Sequence, residues 1–429
     1  MSQYTPPEKL LNKNLFLLWQ GQFISLLGSQ AFNIAMMFWV KQTTGSATLM
    51  GLLMMSASLP AVILSPLGGV FADRYSRKKI MIISDTLDGL AIISLAIFMY
   101  WAPNAPWLIG YLFFVAILLG CSGAFFRPAI NAALPDIVPK AQLPAANALA
   151  ASTVQIAQLC GNVIGGILFR VLGAPLMFLI DGLSYLFSAC TELFIQLPEP
   201  KKQEKTDNHW FKQFVTESRE GLQYLTDKQG MKEFFVLAGL VNFLITPCII
   251  LLPFYVEDFL QATTDWYGFI IAAYGAGALV GYALAGIFKV TATRRIVPMT
   301  LAFTMMALLI CTAGFTTDKV TALGIMTLIG ICNGYVNVNI LTILQASTEE
   351  NLRGRVFGLL GTLTGSVMPL AMGLSGIVFD LVGRNISLIF VASGSLLLIT
   401  AITISLRKNY RAFIAYDLTT STQEVTTKT

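Results

Sequence analysis

The stretch GVFADRYSRKK, residues 69–79, sits between two long apolar runs, and its reading decides the fold. An acid, Asp73, and a cation, Arg74, follow the end of the first run; Arg77, Lys78 and Lys79 precede the second. Four cations in six residues cannot cross a bilayer cheaply, so they mark a cytoplasmic loop between two membrane helices. The apolar runs on either side are then spans, and the rest of the chain can be read outward from them.

Of the 429 residues 55% are hydrophobic and only 12% charged, too few charges to cover the surfaces of soluble domains of this length. The net charge of +5 resides in short segments between apolar runs, which argues against a nucleic-acid partner. The cysteines all lie inside apolar segments without a C-x-x-C pair and read as small buried hydrophobes. His209, the only histidine, falls in a polar linker, which excludes histidine catalysis or ligation within the membrane. The first apolar run is too long for a signal peptide and has no small-residue cleavage site. Nucleotide-loop spacing, a Ser–His–Asp set and a metal cluster are all lacking, so neither enzyme activity nor a cofactor is expected.

A span needs roughly 20 mostly apolar residues. That rule predicts twelve: 15–40, 48–72, 80–101, 107–126, 144–170, 174–197, then 233–256, 265–288, 296–316, 320–345, 356–381 and 385–406. The expected class is an all-α integral membrane protein with twelve transmembrane helices in two pseudo-symmetric six-helix bundles, 1–197 and 233–406. Residues 198–232 form a cytoplasmic linker; there Trp210, Phe211, Phe214, Leu222 and Leu225 recur at near-helical spacing and predict an amphipathic helix on the membrane surface. A Thr-rich cytoplasmic tail, 407–429, follows. With the N-terminus inside, 24 of the 28 Lys and Arg are cytoplasmic, and only Lys41, Arg170, Lys319 and Arg384 lie outside. This asymmetry predicts both termini in the cytoplasm.

The halves also repeat. Gly69-Val-Phe with Arg77-Lys78 matches Gly286-Ile-Phe with Arg294-Arg295, and GILFRVLG (166–173) matches GIVFDLVG (376–383). Both pairs are separated by 210–217 residues, the interval expected of related six-helix halves.

The spacing G-x-x-x-D-R-x-x-R-K-K at 69–79 resembles the helix 2–3 loop of the major facilitator superfamily, with Ser76 where that loop usually has glycine. Leu18-Trp19-Gln20-Gly21-Gln22, Thr44-Gly45-Ser46-Ala47, Leu59-Pro60, Arg127-Pro128-Ala129, Ala146-Asn147-Ala148 and Arg353-Gly354-Arg355-Val356-Phe357 resemble the branch containing enterobactin exporters and macrolide efflux pumps. The resemblance implies an exporter of small or amphiphilic molecules (a siderophore, macrolide-like drug or secondary metabolite), driven by a proton or other ion gradient. It implies a monomer in the bacterial cytoplasmic membrane. A lipid or lysophospholipid translocator is the nearest alternative, and a non-transporting scaffold or receptor a more distant one. Two departures stand out. Gly161-Asn162-Val-Ile-Gly165-Gly166 has asparagine where related antiporters carry a helix 5 proline bend, and Leu119 replaces a helix 4 arginine common in proton antiporters.

Polar groups inside spans mark candidate function. Gln22, Ser25, Ser29 and Asn33 fall on one face of helix 1. Gln155 and Gln158 on helix 5, Asn242 and Thr246 on helix 7, and Asn333 and Asn337 on helix 10 complete the predicted cargo cavity, the alternative being that some amides merely bridge helices. Among the in-span acids, Asp85 and Asp88 on helix 3 are the coupling candidates, because a carboxylate kept from water can trade protons near neutral pH. Pairing with Arg77 or Arg127 is the competing reading. Asp181 and Glu192 lie on helix 6, and Glu192 is expected to snorkel toward the inner surface. Gly69, Asp73, Arg74, Arg77 and Lys78 are expected to form a gating loop in which Asp73 caps the start of helix 11 and the arginines hold register.

Overall fold

The structure, a computed structural model, describes residues 9–198, 219, 223–225, 227–288, 290–291, 294–348 and 350–415, apart from the side chains of 350–355. Most of the predicted linker helix, including Trp210, Phe211, Phe214 and Leu222, lies outside these residues, as does the chain beyond 415. The spans are α1 (Lys13–Thr44), α2 (Ala47–Arg74), α3 (Arg77–Trp101) and α4 (Trp107–Ile137), then the long helical stretch Leu143–Leu193. After them come α7 (Met231–Ile250, continuing through a π-turn at Tyr255–Phe259), α8 (Asp265–Ile287), α9 (Ile296–Ala313), α10 (Lys319–Ser347), α11 (Glu350–Leu381) and α12 (Ile386–Leu406).

At 51 residues Leu143–Leu193 would be about 77 Å long, more than twice a bilayer core. It is broken at Gly173, whose φ of 69° and ψ of 172° lie in a region essentially reserved for glycine. Contacts with α1 show what the break does. Trp19 bonds Thr153, Gly161 lies against Gln30, and Phe38 stacks on Phe169, so 153–169 runs parallel to α1. The Phe32 ring packs at a tilt against that of Phe178, Gly28 lies against Asp181 and Gly21 against Thr191, so 178–191 runs back the other way. These arms, α5 (143–172) and α6 (174–193), are two antiparallel spans joined without a loop. Among the described residues, eleven continuous apolar helices thus contain twelve spans.

The repeat recurs in three dimensions. Gly173 has its counterpart in Gly383, also at positive φ (70°), where the chain turns from α11 into α12. Gly120 of α4 lies against the backbone carbonyl of Ala57 on α2, and Gly330 of α10 against that of Tyr274 on α8. Any side chain at either position would strike that carbonyl, so small residues let the two helix pairs close, as membrane helices require.

Two compact units emerge, one containing α1–α6 with Thr263–Phe269 and the other containing α7 and the chain from Ile270 onward. In the first, the 69–79 loop ties helix ends together. Ser76 caps α3 by accepting from the Lys79 amide at 3.5 Å, a use for the serine found where the resembled loop has glycine. Arg77 pairs with Asp136 and donates to the Ala132 carbonyl, 2.9 Å away, at the end of α4. Lys78 donates to the Leu193 and Ile195 carbonyls (2.7 and 2.8 Å), where a cation suits the α6 C-terminus. Leu15, Leu18, Met81, Ala133, Ile137 and Ile195 pack into an apolar plug beside these contacts.

In the second unit the expected tail opens with a helix, α13 (Lys408–Ile414). Tyr410, Phe413 and Ile414 are buried, the Phe413 ring lies 5.3 Å from that of Phe234 on α7, and Arg295 donates to the Ile414 carbonyl at 3.5 Å.

Candidate functional site

A cavity of about 800 Å³ lies inside the first unit, walled by α1, α3, α4, α5 and α6 with Ala57 of α2. Helix α1 aims Gln22, Ser25, Ser29 and Asn33 into it, the face defined by their 3–4-residue spacing. From α3 come Asp85 and Asp88, from α4 Leu119, Gly120, Arg127 and Asn131, from α5 Asn147, Thr153 and Gln158, and from α6 Asp181 and Tyr185. Leu26, Phe32, Met36 and Phe126 make its apolar walls.

Hydrogen bonds fix the rim. The Trp19 indole donates to Thr153 at 2.7 Å, and the Ser29 and Tyr185 hydroxyls lie 3.0 Å apart. Ser184 donates to the Asp181 backbone carbonyl at 2.7 Å and lies 3.4 Å from its Oδ1. The acids themselves are poorly served. Asp85 and Asp181 are each 1% exposed and Asp88 5%, yet Asp85 Oδ2, Asp88 Oδ1 and Asp181 Oδ2 accept no hydrogen bond. Ser188 lies beside Asp85 and Ser122 beside Asp88, but neither hydroxyl closes a hydrogen bond. Buried polar groups are normally paired, and a buried charge is costly unless paired. The cavity therefore holds three carboxyl groups with acceptor capacity to spare.

Arg77 is committed to Asp136, and neither Asp85 nor Asp88 forms an ion pair among the described residues, which removes the pairing of Asp85 with Arg77 or Arg127. Glu192 does not snorkel: it is 1% exposed, its oxygens lack donors, and it lies within electrostatic reach of Asp85. The packing of α6 against its neighbours in the first unit buries the Glu192 side chain inside the bundle.

The other predicted positions lie elsewhere. Gln155 is exposed and does not line the cavity. Asn242, Thr246, Asn333 and Asn337 belong to the second unit, where the Asn242 amide donates to the Ala238 carbonyl at 2.9 Å and Thr246 donates to the Asn242 carbonyl at 2.7 Å. Helical dihedrals persist through Gly161, Asn162, Gly165 and Gly166; the break is at Gly173. Gly161 and Gly165 serve instead for close contact with Gln30 and Ile34 of α1. Asp73 and Arg74 are exposed at the end of α2. Sequence reasoning did not anticipate Arg127, Asn131, Asn147 or Tyr185 in the cavity wall; the clustering of polar residues at 127, 131 and 147 was the available signal.

A helical membrane scaffold with an internal repeat and a polar cavity in its first half defines a transporter. The family description "Major Facilitator Superfamily" matches residues 18–372, and the chain belongs to that superfamily. Macrolide efflux protein A of Streptococcus pyogenes is 25% identical over 391 residues, covering 90% of this chain and 94% of that one. Multidrug efflux pump Tap of Mycobacterium bovis is 22% identical over 389 residues, covering 88% and 90%. The crystal structure of the nucleoside transporter NupG superposes with a TM-score of 0.69 at 13% identity, over 95% of this chain and 100% of that chain, which speaks to the fold. The protein is thus a multi-pass membrane transporter of the major facilitator fold with efflux pumps among its relatives.

Proposed function

We propose that the protein is a secondary active exporter of a small amphiphilic molecule (siderophore, macrolide-like drug or secondary metabolite) across the bacterial cytoplasmic membrane. It works as a monomer by alternating access, coupled to an ion gradient, with both termini in the cytoplasm. Full-length similarity to two efflux proteins is the observation that carries this reading. The cavity supports it, since amides, hydroxyls and acids among apolar walls suit an amphiphilic, polyfunctional cargo. In this reading Gln22, Ser29, Asn33 and Gln158 contact cargo, while Gly69, Asp73, Arg74, Arg77 and Lys78 form the gating loop; Asp73→Asn is expected to favour the inward-open state and slow transport.

The test is export from everted vesicles energised by respiration, made from cells lacking their own efflux pumps, with panels of macrolides, siderophores and lysophospholipids. Energised accumulation of a drug or siderophore, collapsed by an uncoupler, is the expected result. Accumulation no different from vesicles without the protein, with the protein folded and present, overturns the reading; movement of lysophospholipids alone replaces it with a lipid translocator.

A further inference from the structure

We propose that the C-terminal end of α12, together with α13, is a docking site for an anionic phospholipid, whose phosphate is held by Arg407, Lys408 and Arg411. The proposal needs only the membrane-spanning fold and is independent of the export reading.

Helix α13 starts one residue after the last span ends, so the chain has no length in which to leave the bilayer surface. Tyr410, Phe413 and Ile414, at helical spacing, bury one side of it. Lys408 and Arg411 are exposed on the opposite side, with exposed Arg407 just ahead of them. An apolar side against the protein and a basic side outward is the pattern of a helix lying at a membrane surface. No acid occurs from residue 381 to residue 416, so this part of the chain does not offset its own cations. Glu233 of α7, the acid that reaches α13, accepts instead from the Asn409 amide at 3.4 Å.

Cations that only orient the last span need no fixed position. These have one. The Phe413 ring lies 5.3 Å from that of Phe234, and Gln229 donates to Asn409 Oδ1 at 2.9 Å. Gly230 sits so close that a Cβ there would come within 2.1 Å of the Asn409 carbonyl oxygen. Arg411 Nε donates to the Ser405 carbonyl at 2.7 Å, which sets the guanidinium beside the end of α12.

The surface leading to these cations suits acyl chains. Leu396, Ile399, Ile402 and Leu406 form an exposed apolar stripe along α12, and Arg407 follows its last member directly. Helix α9 packs antiparallel beside it: Thr300 donates to the Ser405 hydroxyl at 3.0 Å, while Gly314 lies against Phe390. Its own exposed stripe, Val297, Leu301, Met305 and Leu308, is preceded by exposed Arg294. Two neighbouring apolar stripes therefore end in cations at the same end of the unit. That is the order of groups in a phospholipid, acyl chains and then phosphate. The arginine fork matches a phosphate with two parallel hydrogen bonds. A headgroup with its own ammonium would meet the cluster with like charge, so a net negative headgroup is preferred.

Equilibrium binding of radiolabelled phosphatidylglycerol and phosphatidylcholine, identical in their acyl chains, to the purified full chain in neutral detergent tests the proposal. The parent should bind phosphatidylglycerol at least about tenfold more tightly. Lys408→Gln should weaken that binding about fivefold, and Arg407→Gln added to it should bring the two lipids within about twofold of each other. Phosphatidylcholine binding should change by less than about twofold throughout, and Arg407→Lys, which keeps the charge, should retain the preference. Lys79→Gln is the control: Lys79 is an exposed cation ahead of the exposed Ile83, Leu87 and Leu90 of α3 in the first unit, and its loss should leave both affinities unchanged. Thermal melting reports whether each variant is folded, and Lys408→Gln alone decides the matter where the double variant is not. Equal binding of the two lipids by the parent, or an undiminished preference in the folded variants, overturns the proposal. An equal loss in Lys79→Gln overturns it in favour of diffuse surface charge. Displacement of phosphatidylglycerol by inorganic phosphate, but not by chloride at the same ionic strength, overturns it in favour of a site for the free anion.

Discussion

In the first unit Gly120 of α4 meets the Ala57 carbonyl of α2, and in the second Gly330 of α10 meets the Tyr274 carbonyl of α8. Lys78 donates to the end of α6, and Arg295, 217 positions later, donates to the end of α13. The interiors are unlike. The first unit buries Asp85, Asp88, Asp181 and Glu192, whereas the buried polar side chains among the described residues of the second are Ser, Thr and Arg295. Duplication therefore preserved the backbone contacts that let helices close, and left the side chains facing inward free to diverge. Scaffold and chemistry are separable, and substitutions can probe each.

The largest effect should come from the shared closures. Leucine at Gly120 or Gly330 has to displace a neighbouring helix, costing at least ~3 kcal/mol in either half. Yields of monodisperse protein and melting temperatures should fall together for the two variants; tolerance of Gly330→Leu alone would break the equivalence. A smaller effect should sharpen the comparison at the turns. Gly173→Ala should cost about 2 kcal/mol and Gly383→Ala about 1 kcal/mol, because the Gly173 φ/ψ pair lies in the glycine-only region whereas a left-handed φ alone is less costly. Neither position crowds an added methyl within 3.8 Å, so equal melting shifts would show that the backbone difference is immaterial. Next, Arg295→Ala should cost about 1.5 kcal/mol and Lys78→Ala about 1 kcal/mol, since Arg295 is buried and Lys78 partly bathed in water; limited proteolysis near residues 196 and 415 should report each release separately.

The smallest effect is expected at Asp318, which caps α10 and accepts from the Thr321 amide and hydroxyl, both at 2.7 Å. Those bonds hold its carboxyl below the usual carboxylate range. Its contribution is thus complete above the pKa of the unfolded chain and is lost as pH falls through the lower folded value. Asp318→Asn should lower the melting temperature slightly at neutral pH and converge with the parent protein in acid, so that the acid limb flattens; an acid limb as steep as the parent's would remove the cap from the account.

Much of the fold was legible because membrane burial makes it so. Apolar run length marks spans, and the 210–217-residue repeat placed Gly173 and Gly383 at equivalent positions before either was seen at a turn. The α1 face was legible too, since Gln22, Ser29 and Asn33 are spaced by helical geometry alone. What escaped depends on partners distant in sequence. Arg77 pairs 59 residues away with Asp136 rather than with nearby Asp85, because α4 ends beside the start of α3. Asp181 was visible as an acid in a span, but its position in the cavity depends on Gly28 of α1 leaving room for it. Glu192 reads as terminal by sequence position, and only the packing of α6 turns it inward.

The absence of any loop between α5 and α6 bears on how the chain enters the membrane. With Gly173 as the sole residue of non-helical dihedrals between the two arms, there is no tether on which one arm could wait outside the lipid for the other. The pair has to partition as a single helical hairpin with Arg170 near its tip, and the surfaces that meet α1 become available together. Biogenesis of the first half is then gated by one concerted insertion event, and a delay at that hairpin would leave α1 in the bilayer without the partners that shield its Gln22 and Asn33 from lipid.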